Sequence, residues 1–170
     1  MIKDLTEIIK APVVVNLTNL ASSPALLDLS QVRCIDSQIS ELQQLTTLSF
    51  SQEVVADTVC THAFQSCCPV TNQPDYATIV VDYTGKKLSD QSLFEYLIGF
   101  KNHQHFHEQC IDEIFNFLTA HSQLTDVTVQ GLFTRRGGID INPIRSTNKT
   151  CLLYTSPSPR DRTRSRMPSS

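Results

Sequence analysis

The chain has 170 residues, of which 40% are hydrophobic and 18% charged, with a net charge of −3. That is the make-up of one globular domain, or of one domain with part of another. No apolar run approaches a membrane span, and the mixed charges of "MIKDLTEIIKAPVVV" argue against a secretory signal peptide.

In chain order, residues 2–9 read as the end of a helix that Pro12 stops, and the β-branched "VVVNLTNL" (13–20) as a short strand. Within 31–50, "VRCID" and "TTLSF" each suit a short strand. "EVVADTVCTHAFQ" (53–65) reads as a long strand, and "ATIVVDY" (77–83) alternates, with Ile79, Val81 and Tyr83 on one face. "TGKK" (84–87) reads as a turn at Gly85. Two helices follow. Ser89 caps "DQSLFEYLIGFKN", whose stripe is Leu93, Phe94, Leu97, Ile98 and Phe100. "HFHEQCIDEIFNFLTAH" places Cys110, Ile111, Ile114, Phe117, Leu118 and His121 near one face. "DVTVQGLFTRR" (126–136) alternates again, and "GGIDINPIRS" supplies a glycine turn and a short last strand. From residue 53 the order is strand, strand, helix, helix, strand, strand. That order predicts an α+β fold, an antiparallel sheet with two consecutive helices on one face.

Charge is uneven. Residues 151–170 hold four arginines against one aspartate, a net +3, so the first 150 residues carry −6. So acidic a body is a poor general binder of nucleic acid. The Ser-, Pro- and Arg-rich tail is expected to be disordered, and "CLLYTSPSPRD" looks like translated sequencing adapter. The expected organisation is a remnant of a first, similar module over 1–50, the main module over 51–147 and the tail over 148–170.

Three stretches can carry chemistry. In "SCCPVTNQPDYAT", Cys68 and Asp75 flank a loop bracketed by Pro69 and Pro74. A thiolate nucleophile beside an acid suits addition to an electrophilic carbon. The competing reading buries Cys67 or Cys68 in the core and makes Asp75 a turn former. In "NHQHFHEQC", His103, His105 and His107 alternate; extended backbone would let them bind zinc, whereas a helix would splay them. Alternatively, His107 and Glu108 open a helix where a carboxylate can accept N–H groups of a flat heterocycle, or the stretch is a polar interhelix loop. In "FTRRGGIDINP", Arg135, Arg136, Gly137 and Gly138 suit a phosphate, or a hairpin turn flanked by solvated arginines. With no CxxC spacing and a cytoplasmic expectation, the six cysteines are read as reduced.

Together, "CPVTNQPD", "YLIGFKNHQHFHEQC" and "FTRRGGIDINPIRS" resemble, in order and spacing, the 7-cyano-7-deazaguanine reductases, nitrile reductases of queuosine biosynthesis in tRNA modification. The resemblance is strong over 53–147. Over 1–52 it is weaker, "CID" (34–36) looking like the middle of the family's long, two-module form. It implies the tunnelling fold. It implies reduction of the nitrile of 7-cyano-7-deazaguanine to an aminomethyl group with NADPH, through a thioimide on Cys68 with Asp75 as proton donor. His107 and Glu108 match the substrate-binding pair, and Arg136 and Gly137 match part of the NADPH site. No metal is implied; nor is direct contact with nucleic acid or membrane. A homo-oligomer is implied at full length. The family's E-S/L-K-S/A-x-K-aromatic motif does not occur in this sequence, so the chain is expected to lack full activity. Two other readings stand: a zinc-dependent pterin synthase or cyclohydrolase of the same fold, using His103, His105 and His107 or a Cys, and a non-catalytic purine-binding module.

Overall fold

The computed structural model describes residues 2–15, 29, 32–38 and 47–148. Its elements are α1 (Ile2–Ile9), β1 (Arg33–Cys34), β2 (Phe50–Cys67), β3 (Pro74–Leu88), α2 (Asp90–Ile98), α3 (His107–Thr119), β4 (Leu124–Phe133) and β5 (Ile144–Ser146). The strands form one sheet in sequence order. β1 runs parallel to β2, and every later neighbour is antiparallel. The α+β order expected from residue 53 onward is the order observed.

The strands are longer at their ends than alternation predicts, because the β2–β3 ladder runs from Phe50 opposite Leu88 to Cys67 opposite Pro74. Pro74 opens β3, a position where a missing N–H costs little. The expected turn at 84–87 is absent. Gly85 lies inside β3 with φ +145°, at a shift in the pairing with β4. A Cβ there would meet Gln123 O at 2.2 Å, so glycine lets the two backbones close up where the ladder bulges. The helix expected over 90–102 ends at Ile98 and tightens into a 3-10 turn, Gly99–Asn102. Ser89 does cap it, its hydroxyl accepting from Ser92 N at 3.4 Å. The expected strand at 13–20 is not found over 13–15, and 16–20 lie outside the described residues, as does the tail from 149.

The two helices lie on one face of the sheet because both are apolar on one side. Leu93, Phe94 and Leu97 of α2 and Cys110, Ile111, Ile114 and Leu118 of α3 pack with Phe64, Ile79, Val81, Tyr83, Val129 and Phe133 in a single core. Each fully buried aliphatic side chain there contributes about 1.5–3 kcal/mol of transfer free energy. Gly131 sets the depth of contact: a Cβ would come within 2.8 Å of Ile111 Cδ1 and 2.6 Å of the Phe133 ring. The N-terminal segment is different. α1 buries no residue, and β1 spans only two. Arg33 ties β1 to β2 through Asp57, at 2.5 Å, and to the start of α2 through Asp90. No helix among the described residues is long and apolar enough to cross a membrane.

Candidate active site

One end of the sheet gathers the reactive side chains. β2 finishes at Cys67 and β3 starts at Pro74, so the six residues 68–73 close a hairpin. Backbone bonds fix that loop: Cys68 N donates to Gln73 O and Asn72 N to Cys68 O, each at 2.9 Å. Asn72 adopts φ +56°, a left-handed value that asparagine tolerates better than most residues. The tight turn aims donors at the sulfur of Cys68. Its thiol is pulled down to about 7, first by the Thr71 hydroxyl, then by the Thr71 and Val70 N–H groups, with the Arg136 guanidinium adding to them. Hydrogen bonds to the charged form favour the thiolate.

Asp75, in register opposite Ser66, is only 3% exposed. Arg136 Nε lies 2.6 Å from its Oδ1 and His107 Nε2 lies 3.3 Å from the same atom. The Arg136 contact is an ion pair and the His107 contact a close polar approach, and neither is well aligned for a hydrogen bond, since Oδ1 receives no aligned donor. Arg136 therefore pairs with the Asp75 carboxylate and also favours the Cys68 thiolate. It reaches them from a two-residue turn. Arg136 and Ile139 exchange backbone bonds of 3.1 and 2.9 Å across Gly137 and Gly138, which take φ +55° and +81°. Both central residues at positive φ is what a type I′ hairpin turn requires. Neither arginine there is simply solvated: Arg135 grips Asp140 with Nε at 2.9 Å and a terminal nitrogen at 2.7 Å.

His107 is the first residue of α3. Its ring stacks on Phe133 with centroids 3.9 Å apart and planes 8° from parallel, and its Nδ1 is buried without a hydrogen-bond partner. Gln109 steadies this helix start by accepting from Phe106 N at 3.0 Å. Glu108 follows on the exposed side of the first turn, about 100° around from His107. A substrate anchor would be expected to be enclosed; here Glu108 faces water beside the buried cluster.

The structure thus brings together Cys68, Asp75, His107 and Arg136, with Gly137 in the adjoining turn and Glu108 at the rim. It separates the three alternating histidines, because His107 enters α3 while His103 and His105 stay in the loop. Cys67 points elsewhere: its thiol lies 3.4 Å from Lys101 O and its N–H donates to His103 O. Thr71 was not singled out in the sequence, although a hydroxyl three residues past a cysteine in a tight turn is a readable signal. Two surface depressions, one along Phe50 and Leu88 and one along Tyr96 and Phe117, include none of the clustered residues.

A family model described as QueF-like protein matches residues 74–151. The NADPH-dependent 7-cyano-7-deazaguanine reductase of Coxiella burnetii is 48% identical over 103 residues, covering 61% of this chain and 37% of its own length. That of Legionella pneumophila is 41% identical over 151 residues, covering 85% of this chain and 53% of its own. That of Buchnera aphidicola is 43% identical over 119 residues, covering 66% and 45%. A crystal structure of the archaeosine synthase QueF-Like in the apo form aligns with 56% of this chain and 94% of its own at 15% identity and a TM-score of 0.48. The chain spans between about a third and a half of the length of the curated relatives it matches, and over that span it is similar to these reductases, with residues 74–151 matching the QueF-like family model.

Proposed function

We propose that this chain carries the nucleophilic half of a nitrile reductase acting on 7-cyano-7-deazaguanine. The observation that carries the reading is the placement of Cys68 in a tight hairpin turn at the same end of the sheet as the buried Asp75, which Arg136 contacts at 2.6 Å. Donors that lower the thiol's pKa raise the share of thiolate at neutral pH. In the proposed step the Asp75 carboxylate takes the Cys68 thiol proton as the sulfur bonds to the nitrile carbon, one carbon–nitrogen π bond opens, and Asp75 passes that proton to the nitrogen. The product is a thioimide. Arg136 holds Asp75 and the sulfur within one contact range, which supplies the orientation that such an addition needs. Glu108 accepts N–H groups of the heterocycle, and the unused Nδ1 of His107 offers a further bond.

NADPH, when bound, supplies the two hydrides that take the carbon to the aminomethyl level. The residues here fit its binding in part. The Gly137–Gly138 turn is open, with nothing within 4 Å of an added Cβ at either glycine, and Arg136 is partly exposed. The lysine-bearing motif that the family uses for cofactor contacts does not occur in this sequence. The 170-residue chain is therefore expected to stop at the thioimide.

Intact-mass measurement after incubation with 7-cyano-7-deazaguanine, without NADPH, tests the reading. One adduct of the substrate's mass is expected, absent in Cys68→Ala and kept in Cys67→Ala. An adduct that survives Cys68→Ala moves the nucleophile elsewhere. Rapid NADPH oxidation by the 170-residue chain contradicts the expectation that it stops at the adduct.

A further inference from the structure

We infer that His103, His105 and Glu113 form a binding site for a divalent transition-metal ion of the zinc class. Their ligand atoms lie within 4.8 Å of one another. His103 and His105 stand two residues apart in the extended stretch before α3, a spacing that turns both rings to one side. Glu113 comes from the second turn of α3 and meets them there.

The polar atoms at this point are poorly served without an ion. Nδ1 of His103 and Nδ1 of His105 are both shielded from solvent and lack an aligned hydrogen-bond partner. His105 Nδ1 does lie 3.1 Å from Glu113 Oε2, a contact whose geometry is poor for a hydrogen bond but suits two ligands of one cation. Shielded nitrogen atoms without partners are costly, and a bound ion relieves that cost. Two imidazole nitrogens and one carboxylate oxygen are a donor set that zinc accepts, leaving a fourth position for water. Magnesium and calcium prefer all-oxygen sites. The depression along Tyr96, Gln109 and Phe117 is lined by Glu113 as well.

The place of the site in the fold suggests its use. The loop that holds the two histidines is tied to the end of β2, because Cys67 N donates to His103 O at 2.9 Å. It is also tied to the nucleophile's turn, because Gln104 Nε2 donates to Asn72 Oδ1 at 3.0 Å. A metal that joins this loop to α3 fastens the platform on which Cys68 sits, without touching the reacting atoms. Cys34, Cys60 and His62 form a second cluster, on β1 and β2, whose thiols provide an internal contrast.

The test is titration of the full 170-residue chain with Zn2+ by calorimetry, and with Co2+ by visible absorption. One site is expected, with no thiolate-to-metal charge-transfer band in the Co2+ spectrum and a rise in thermal midpoint with added Zn2+. His105→Ala and the milder, surface-exposed Glu113→Gln should each weaken binding at least tenfold, whereas Cys34→Ser should leave it unchanged. Circular dichroism of Glu113→Gln checks that the fold is kept. Failure to bind Zn2+, a charge-transfer band, or binding lost in Cys34→Ser but kept in Glu113→Gln overturns the assignment.

Discussion

The cysteines of this chain divide between the sheet's end and its interior, and the two regions treat the same side chain in opposite ways. At the end of β2, hydroxyl and N–H donors pull the Cys68 thiol down to about 7. In the interior, burial pushes Cys60 up to about 12 and Cys110 up to about 11. Cys110 lies in the α3 face that packs on the sheet, and Cys60 sits in the middle of β2. Reactivity is thus a property of the turn rather than of cysteine itself. A tight hairpin exposes backbone N–H groups that a strand interior has already spent on its neighbours.

The contrast can be broken first on the packing side. Ile111 is fully buried between α3 and the sheet, so Ile111→Ala should cost about 2–5 kcal/mol in chemical denaturation. Cys68→Ala should leave the denaturation midpoint nearly unchanged while removing the nitrile adduct. A large loss of stability from Cys68→Ala would make that residue a packing group.

Glu108→Gln sharpens the contrast from the substrate side. A charge-assisted bond to the heterocycle is worth about 1.5–3 kcal/mol, so replacement of the acceptor should weaken substrate binding about tenfold or more. Calorimetry reads this directly; unchanged affinity would move the ring anchor off the exposed first turn of α3.

Smaller changes follow at the thiol itself. Thr71→Val removes the leading donor to Cys68 and should slow its alkylation at pH 7 several-fold. Arg136→Gln should slow it less, since that guanidinium is the weakest of the contributing partners. The reverse order would make the ion pair, rather than the turn, the source of activation.

The smallest effect is on stability against pH, and its sign differs between the regions. The folded pKa of Cys68 is lowered, so its contribution is present above the unfolded thiol's pKa, near 9, and is lost as pH falls through about 7. For Cys60 and Cys110 the folded pKa is raised. Their contribution is present below about 9 and is lost as pH rises towards 11 and 12. Cys68→Ser should therefore flatten the rise in stability between pH 7 and 9 and leave the fall above it.

Much of this architecture is legible in the sequence, for physical reasons. Alternation in "ATIVVDY" and the stripes of α2 and α3 fix the helix-bearing face, because burial of one side is what holds each element. Gly85 misleads, since a glycine read as a turn instead serves a bulge where Gln123 O presses on the backbone. The pairing of Cys68 with Asp75 is legible as a stiff loop between prolines, but the part played by Arg136 is not. It depends on β4 lying beside β3, which brings a residue about 60 positions away onto Asp75. The zinc reading of three alternating histidines fails at His107 for a related reason. The helix begins there, and the ring turns onto Phe133.

The most direct test of the central claim is the pH profile of alkylation, residue by residue, read by peptide mass mapping of the native chain. An iodoacetamide titration from pH 5 to 10 should label Cys68 first, with a midpoint near pH 7, while Cys60 and Cys110 stay unlabelled until the protein unfolds. A Cys68 midpoint at the ordinary thiol value of about 8.5, or faster labelling of Cys67, would contradict activation of Cys68 by its turn.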